Sequence, residues 1–284
     1  MGRIMPRYAQ PSPGVLRLGC RGRRCVCCTL VPRSLVLLMR MNPDPDGERR
    51  AAARARLTVP PRRRRLRRWL LGALGLWVVM TVTPVALMSH WGPPGSAFMA
   101  QAWLRAQVAG PRDFSLRWQP VPLSQMSLAV RAAVVAAEDQ RFMQHHGFDL
   151  HAIDLALTQH REGRGLRGAS TISQQVATNL FLWPGHSWLR KGVEAWLTLL
   201  LEMLWSKPRI LEVYLNVAQF GAGIYGVEAA SQHYFGRTAA TLNTDQAALL
   251  AAVLPNPLAL QVAAPSRYLR QRQAWIRQQM HNAN

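Results

Sequence analysis

Cysteine is scarce in this chain and confined to one end. The 284 residues contain four, at Cys20, Cys25, Cys27 and Cys28. That is too few for a small disulfide scaffold. Their C-x4-C-x-C-C spacing matches no usual zinc pattern and no nearby histidine completes one, so the cluster reads as chance. Acid is scarce too. There are 14 Asp and Glu against 35 Lys and Arg, a formal charge of +21. Lysine contributes almost nothing to that charge, being present only at Lys191 and Lys207. Strand-like alternation is also rare. What the chain has in quantity is apolar surface: 49% of residues are hydrophobic, which excludes disorder throughout.

The charge is unevenly placed. Residues 1–68 hold 18 arginines, no lysine and three acids, Asp44, Asp46 and Glu48. Polyanion partners are the first thought for so basic a tail. No aromatic residue lies within its densest run, Arg62–Arg68, and no reading helix or binding motif accompanies it, so nucleic acid is not expected as a partner. Directly after it, Trp69–Met88 is 20 residues without a charge, enough to cross a bilayer as a helix. Trp69 and Trp91 flank it, and Pro84 is placed to kink it. Arginines on one side, with no lysine or arginine before Arg105 on the other, predict a cytoplasmic N-terminus and an exported remainder. A cleaved signal peptide has a shorter apolar core and a small-x-small site, and this segment fits neither. The expected organisation is a basic cytoplasmic tail (1–68), a transmembrane anchor (69–88) and an exported domain (89–284). The four cysteines then face a reducing compartment. Met39 and Met41 follow the cysteine cluster, and a start at either makes residues 1–38 or 1–40 a miscalled extension.

Residues 89–284 carry no cysteine, no repeat and no low-complexity tract. Apolar residues recur mostly at helical spacing, which predicts a mainly α domain of many short helices. Pro93-Pro94-Gly95 reads as a short linker. The first helical segment, Ser127–His145, places Glu138 on its apolar face. A carboxylate there is partly desolvated and suited to proton transfer near neutral pH. A buried glutamate paired with an arginine fits the same pattern. In the second, Arg161–Phe181, a loop rich in Gly and Arg enters a helix at Thr171 and Gln174, which have capping-box spacing. Such a start is a natural phosphate site, and equally a plain flexible loop. In the third, Ser187–Trp205, Arg190 and Glu194 form an i,i+4 pair beside apolar surface; a surface salt bridge is the alternative. The fourth is Pro208–Ala218. Phe181, Leu182, Trp183 and Trp188 bracket a Pro-Gly turn that fits core and membrane contact equally.

Taken in order, the motifs resemble the family 51 glycosyltransferases, the peptidoglycan polymerases. Glu138-Asp139-Gln140-Arg141-Phe142, then His145, Gly147 and Asp149, resemble the opening signature. Gly168-Ala169-Ser170-Thr171-Ile172-Ser173-Gln174-Gln175 resembles the second and Arg190-Lys191-x-x-Glu194 the third. Ser206-Lys207-x-Arg209-Ile210-Leu211-Glu212-x-Tyr214-Leu215-Asn216 with Phe220-Gly221 resembles the fourth. Gly226-Val227-Glu228-Ala229-Ala230, Tyr234-Phe235-Gly236, Ala247–Leu250 and Pro255-Asn256-Pro257 follow. The likeness covers roughly residues 120–270. A single anchor with one catalytic domain is most similar to the monofunctional branch, the biosynthetic peptidoglycan transglycosylases. No S-x-x-K or K-T-G is present, so no transpeptidase activity is expected.

The resemblance implies a lysozyme-like multi-helix domain that joins lipid II units by inverting β-1,4 glycosyl transfer and releases undecaprenyl pyrophosphate. Glu138 would be the general base and Glu194 would sit at the leaving pyrophosphate. Asp139, Phe142, His145, Gly147, Arg167, Ser170, Thr171, Gln174, Gln175, Asn179, Arg190, Lys191, Lys207, Arg209, Tyr214 and Asn216 would bind substrate. No cofactor is required; a divalent cation, Mg or Mn, at Glu194 is the one inorganic group the resemblance allows. Expected partners are lipid II, the growing strand, the inner-membrane bilayer and other wall-synthesis proteins. Two positions depart from the family: Thr178, where lysine is usual, and His186, where close relatives often have arginine. Both family positions are associated with pyrophosphate binding, so two cations are missing. Arg164, Arg167 or a metal would have to compensate. A catalytically weak scaffold and a lysozyme-like glycan-cleaving enzyme are the competing readings.

Overall fold

The computed structural model describes residues 61–109, 114–163, 170–185 and 187–282. The four cysteines, Met39, Met41, Arg164, Arg167 and His186 lie outside the described residues. The chain divides into residues 1–65 and 66–284, and of the first unit only the opening turn of helix α1 is described.

Helix α1, Pro61–Met88, is longer than the apolar run alone, because it begins within the arginines. It is long and apolar enough to cross a membrane. It also continues through Pro84. The last carbonyls of any helix lack intrahelical donors. Here the Ala86 and Leu87 carbonyls accept from Ser89, His90 and Trp91 of the following turn, and later side chains supply donors for Val85 and Met88. The Trp205 indole donates to the Val85 carbonyl at 2.7 Å. Arg209 donates to the carbonyls of Met88 and Trp91 at 2.8 and 2.7 Å, a cation placed at the negative end of the helix dipole. One turn deeper, Trp196 donates to the Thr81 hydroxyl at 3.1 Å and lies 5.1 Å, ring to ring, from Trp77.

The rest is mainly helical. Helix α2 spans Ala97–Ala109, α3 Leu128–Glu138, α4 Leu150–Arg161 and α5 Ile172–Phe181. Helix α6 spans Trp188–Leu204, α7 Lys207–Val217 and α8 Val227–Phe235. Helix α9 spans Thr244–Val253 and α10 Arg267–Asn282. Helices α3, α4, α6 and α7 start on side-chain caps from Ser127, Asp149, Ser187 and Ser206. Such caps are worth about 1 kcal/mol each. Among the described residues three short strands form a sheet in the order β1-β3-β2, from Arg117–Trp118, Gln219–Gly221 and Ile224–Tyr225. Strand β1 runs parallel to β3, and β2 antiparallel to it with a register shift between Gln219 and Gly221.

Two packed groups form the core. Helix α9 lies between α3 and α10, and α5 lies against α6 and α7. Ile172, Leu201, Ile210, Leu215, Leu250 and Ile276 are fully buried there, each worth about 1.5–3 kcal/mol of transfer free energy. Asn216 ties the strand side to α7: its amide donates to the Val121 carbonyl and its oxygen accepts from the Val121 N–H, both at 2.9 Å.

One expected element is shorter than its pattern. The first segment stops at Glu138 rather than running to His145. Asp139 breaks from helical geometry (φ −161°, ψ 77°) and turns its carboxylate to the start of α5, where it accepts from the Ile172 N–H at 3.0 Å. A long-range cap has overridden local helix propensity.

Candidate active site

Glu138 is the last residue of α3, and its side chain is only 12% exposed. Oε2 accepts from the Gln175 amide at 2.9 Å, and Arg272 of α10 lies 3.5 Å from Oε1. Burial pushes this carboxyl above its ordinary range; the Gln175 hydrogen bond and the Arg272 charge oppose that, and Asp139 adds to it. A base with a raised pKa is a better proton acceptor near neutral pH than an exposed carboxylate.

The neighbouring turn holds this end of α3 in place. Asp139 receives a hydrogen bond from His145 Nε2 at 2.9 Å, while His145 Nδ1 accepts the Gly147 N–H at 3.2 Å. With Nδ1 an acceptor, Nε2 carries the ring proton. The Gly147 carbonyl accepts from the Thr171 hydroxyl at 2.7 Å. Gly147 itself has φ +89°, and a Cβ there would meet Thr198 at 2.9 Å, so the position requires glycine. Thr171 and Gln174 form the capping box that their spacing predicts. The turn after α3 is thus locked to the N-terminus of α5.

Glu194 of α6 has a side chain only 4% exposed. Oε1 pairs with the Lys191 ammonium, Arg190 lies 3.5 Å from Oε2, and the Thr178 hydroxyl donates to Oε2 at 2.9 Å. Thr178 therefore stands inside this cluster, as a donor without charge. Among the described residues, Arg190 Nε is buried without a hydrogen-bond partner. Ser170, Gln174, Gln175, Thr178, Asn179, Arg190, Lys191 and Glu194 line one cleft of about 380 Å3. Glu138 lines a second of about 420 Å3 with Asp139, Arg141, Asp149, His151, Ser170, Thr171 and Trp275. Ser170 borders both, and Gln175 reaches from the first cleft to Glu138.

The structure brings most of the expected site residues to these clefts. Others serve the scaffold. Phe142 is buried under the Lys207 ammonium, 4.5 Å from its ring centre. Lys207 pairs with Glu202 at 2.8 Å, and Glu202 also accepts from Ser173. Arg209 and Asn216 hold the anchor and the strand side, as above. Tyr214 is buried, and its hydroxyl donates to Gln175 Oε1 at 3.0 Å. Sequence reasoning missed Arg272, Trp275 and His151. They lie on α10 and α4, outside the motifs, and helical periodicity does not tell which exposed positions approach a distant carboxylate.

A divalent cation does not fit Glu194 as it stands. Both oxygens of its carboxylate already face cations or a hydroxyl donor, and among the described residues no group of three His, Cys, Asp or Glu could hold a metal.

A buried carboxyl of raised pKa thus stands beside a cation-lined cleft on a mainly helical frame. Residues 108–281 match the transglycosylase family model, and the chain belongs to that family. It is 49% identical over 223 residues to the biosynthetic peptidoglycan transglycosylase of Xanthomonas oryzae pv. oryzae, covering 78% of this chain and 90% of that one. It is 50% identical to the proteins of that name from Pseudomonas aeruginosa, over 76% of this chain and 91% of that one, and Pasteurella multocida, over 75% and 87%.

Proposed function

We propose that this transglycosylase builds peptidoglycan glycan strands from lipid II. The acceptor sugar lies in the cleft that contains Glu138. Its 4-hydroxyl attacks the anomeric carbon of the donor while Glu138 takes the hydroxyl proton. The new bond joins acceptor O4 to donor C1. The bond that breaks joins C1 to the pyrophosphate oxygen, and undecaprenyl pyrophosphate leaves with both electrons. One displacement inverts the anomeric centre from α to β, and no covalent glycosyl-enzyme is needed. Arg190 and Lys191 take up the charge that develops on the leaving group, and Glu194 and Thr178 hold those cations in place.

The observation that carries this reading is the adjacency of the two clefts: a buried carboxylate of raised pKa stands one glutamine away from a pocket lined by two cations. α1 serves as the inner-membrane anchor, with its arginine end in the cytoplasm and the catalytic unit outside. Trp188 is 94% exposed and Trp183 half exposed, while Leu182, just before them in the chain, is buried. The exposed pair suits the interfacial layer where a lipid-linked pyrophosphate lies.

Glu138→Gln tests the proposal. Polymerisation of labelled lipid II by the full chain in detergent should fall by about 10²–10⁴-fold. Unchanged turnover would defeat the reading of Glu138 as the base; a wild-type chain that extends no glycan would leave a scaffold role, and release of soluble muropeptides from sacculi without chain growth would indicate a hydrolase.

A further inference from the structure

We propose that Tyr214 is a positioning residue: it fixes the Gln175 amide in the orientation that donates to Glu138. The inference rests on the reading of Glu138 as the base.

A glutamine amide can sit in two orientations of almost the same shape, with its oxygen and nitrogen exchanged. Its neighbours decide between them. Here Nε2 donates to Glu138 Oε2 at 2.9 Å and Oε1 accepts from the Tyr214 hydroxyl at 3.0 Å. The ionised carboxylate accepts only, so it demands the amide nitrogen. The protonated carboxyl can instead donate, and then welcomes the amide oxygen. In that flipped state the amide nitrogen would face the phenol, whose own proton would lose its acceptor. Tyr214 is 1% exposed, and among the described residues its hydroxyl bonds to nothing but Gln175. A buried donor left without an acceptor is unfavourable, because it has given up water and gained no partner. Tyr214 thus favours the arrangement that serves the ionised base and penalises the other.

The phenol remains a donor through any working pH, because burial and the nearby Glu138 charge push it well above its ordinary range. The other charged groups facing Glu138 are Arg272 from α10 and the adjacent Asp139; Arg141, Asp149 and His151 line the same cleft. A substitution at Tyr214 alters none of them directly. The signal is therefore specific to the Tyr214–Gln175–Glu138 chain.

The test is the acid limb of kcat/KM against pH, measured with labelled lipid II and the full chain in detergent. Tyr214→Phe should move its midpoint up by about 0.5–1 pH unit, and Gln175→Met by at least as much. The double variant should move no further than Gln175→Met alone. An unmoved limb in a folded Tyr214→Phe overturns the proposal, because a merely space-filling tyrosine predicts that result. Additive shifts overturn it too, since Tyr214 would then act by another route. Should Tyr214→Phe fail to fold by circular dichroism, Gln175→Met still decides: an unmoved limb refutes the relay at its second link. Turnover that survives Glu138→Gln would instead defeat the reading of the base, leaving a distinct signature.

Discussion

Thr178→Lys restores the charge usual in the family at the centre of the cation-lined cleft. Two opposing effects set its outcome. A lysine ammonium about 4 Å from a pyrophosphate oxygen gains roughly 4 kcal/mol at an effective dielectric of 20. In the free enzyme the same ammonium faces the Glu194 carboxylate, whose Oε2 now accepts from Thr178 at 2.9 Å. That attraction is of similar size and must be shared when substrate arrives. The lost hydroxyl bond to a charged acceptor, about 1.5–3 kcal/mol, weakens free and substrate-bound enzyme alike and so cancels from kcat/KM. Arg190 and Lys191 already pair with Glu194, so a third cation also meets repulsion. What survives is the excess of a doubly charged pyrophosphate over one carboxylate, about 0–1 kcal/mol after screening. The expected kcat/KM is thus unchanged or raised, by up to about fivefold. The assay is lipid II polymerisation under subsaturating substrate, with melting temperature as the control for folding. A tenfold loss in a folded variant would refute the reasoning. It would mean that the hydroxyl, and not charge, is what this cleft needs at position 178.

Two further outcomes follow from other contacts. Arg272 lowers the Glu138 pKa, so Arg272→Met should raise it; the acid limb of kcat/KM then moves to higher pH by under about one unit, and an unmoved limb would show that the 3.5 Å approach carries no electrostatic weight. Trp205→Phe keeps one aromatic ring but removes the indole N–H and the volume of the second ring, leaving the Val85 carbonyl without its donor; it should cost at least about 1–3 kcal/mol, and a melting temperature unchanged within a degree would show that α1 is not docked there.

The fold class was legible because apolar residues recur at helical spacing, and caps at Ser127, Ser187 and Ser206 follow local rules. The end of α3 was not legible. Nothing near Asp139 in sequence says that its carboxylate caps a helix starting at Ile172. The pairing of Glu194 with Arg190 and Lys191 follows from helix periodicity, so it could be read directly. Arg272 opposite Glu138 could not, since 134 residues separate them and only tertiary packing brings α10 to α3. The motif residues also divided in a way that spacing hides. Lys207 and Arg209 look like substrate cations in a linear reading. In three dimensions neither lines the two clefts; each has a carboxylate partner, Glu202 and Glu212, and Arg209 caps α1.

That last contact changes the sense of the anchor. A span joined by Gly92-Pro93-Pro94-Gly95 suggests a loose tether. Yet Pro93 is buried, the Trp91 carbonyl is held by Arg209, and Trp205 and Trp196 bind α1 one and two turns deeper. The donors that satisfy two of the helix's orphan carbonyls, Val85 and Met88, are the same groups that fix the later helices to it. Removing them would free those helices and expose unpaired carbonyls together, so the two states are coupled. An enzyme acting on a lipid-linked pyrophosphate benefits from that coupling. On the function proposed above the substrate would lie at a fixed depth, and a docked span would hold Glu138 and the Arg190–Lys191 cleft at one height above it.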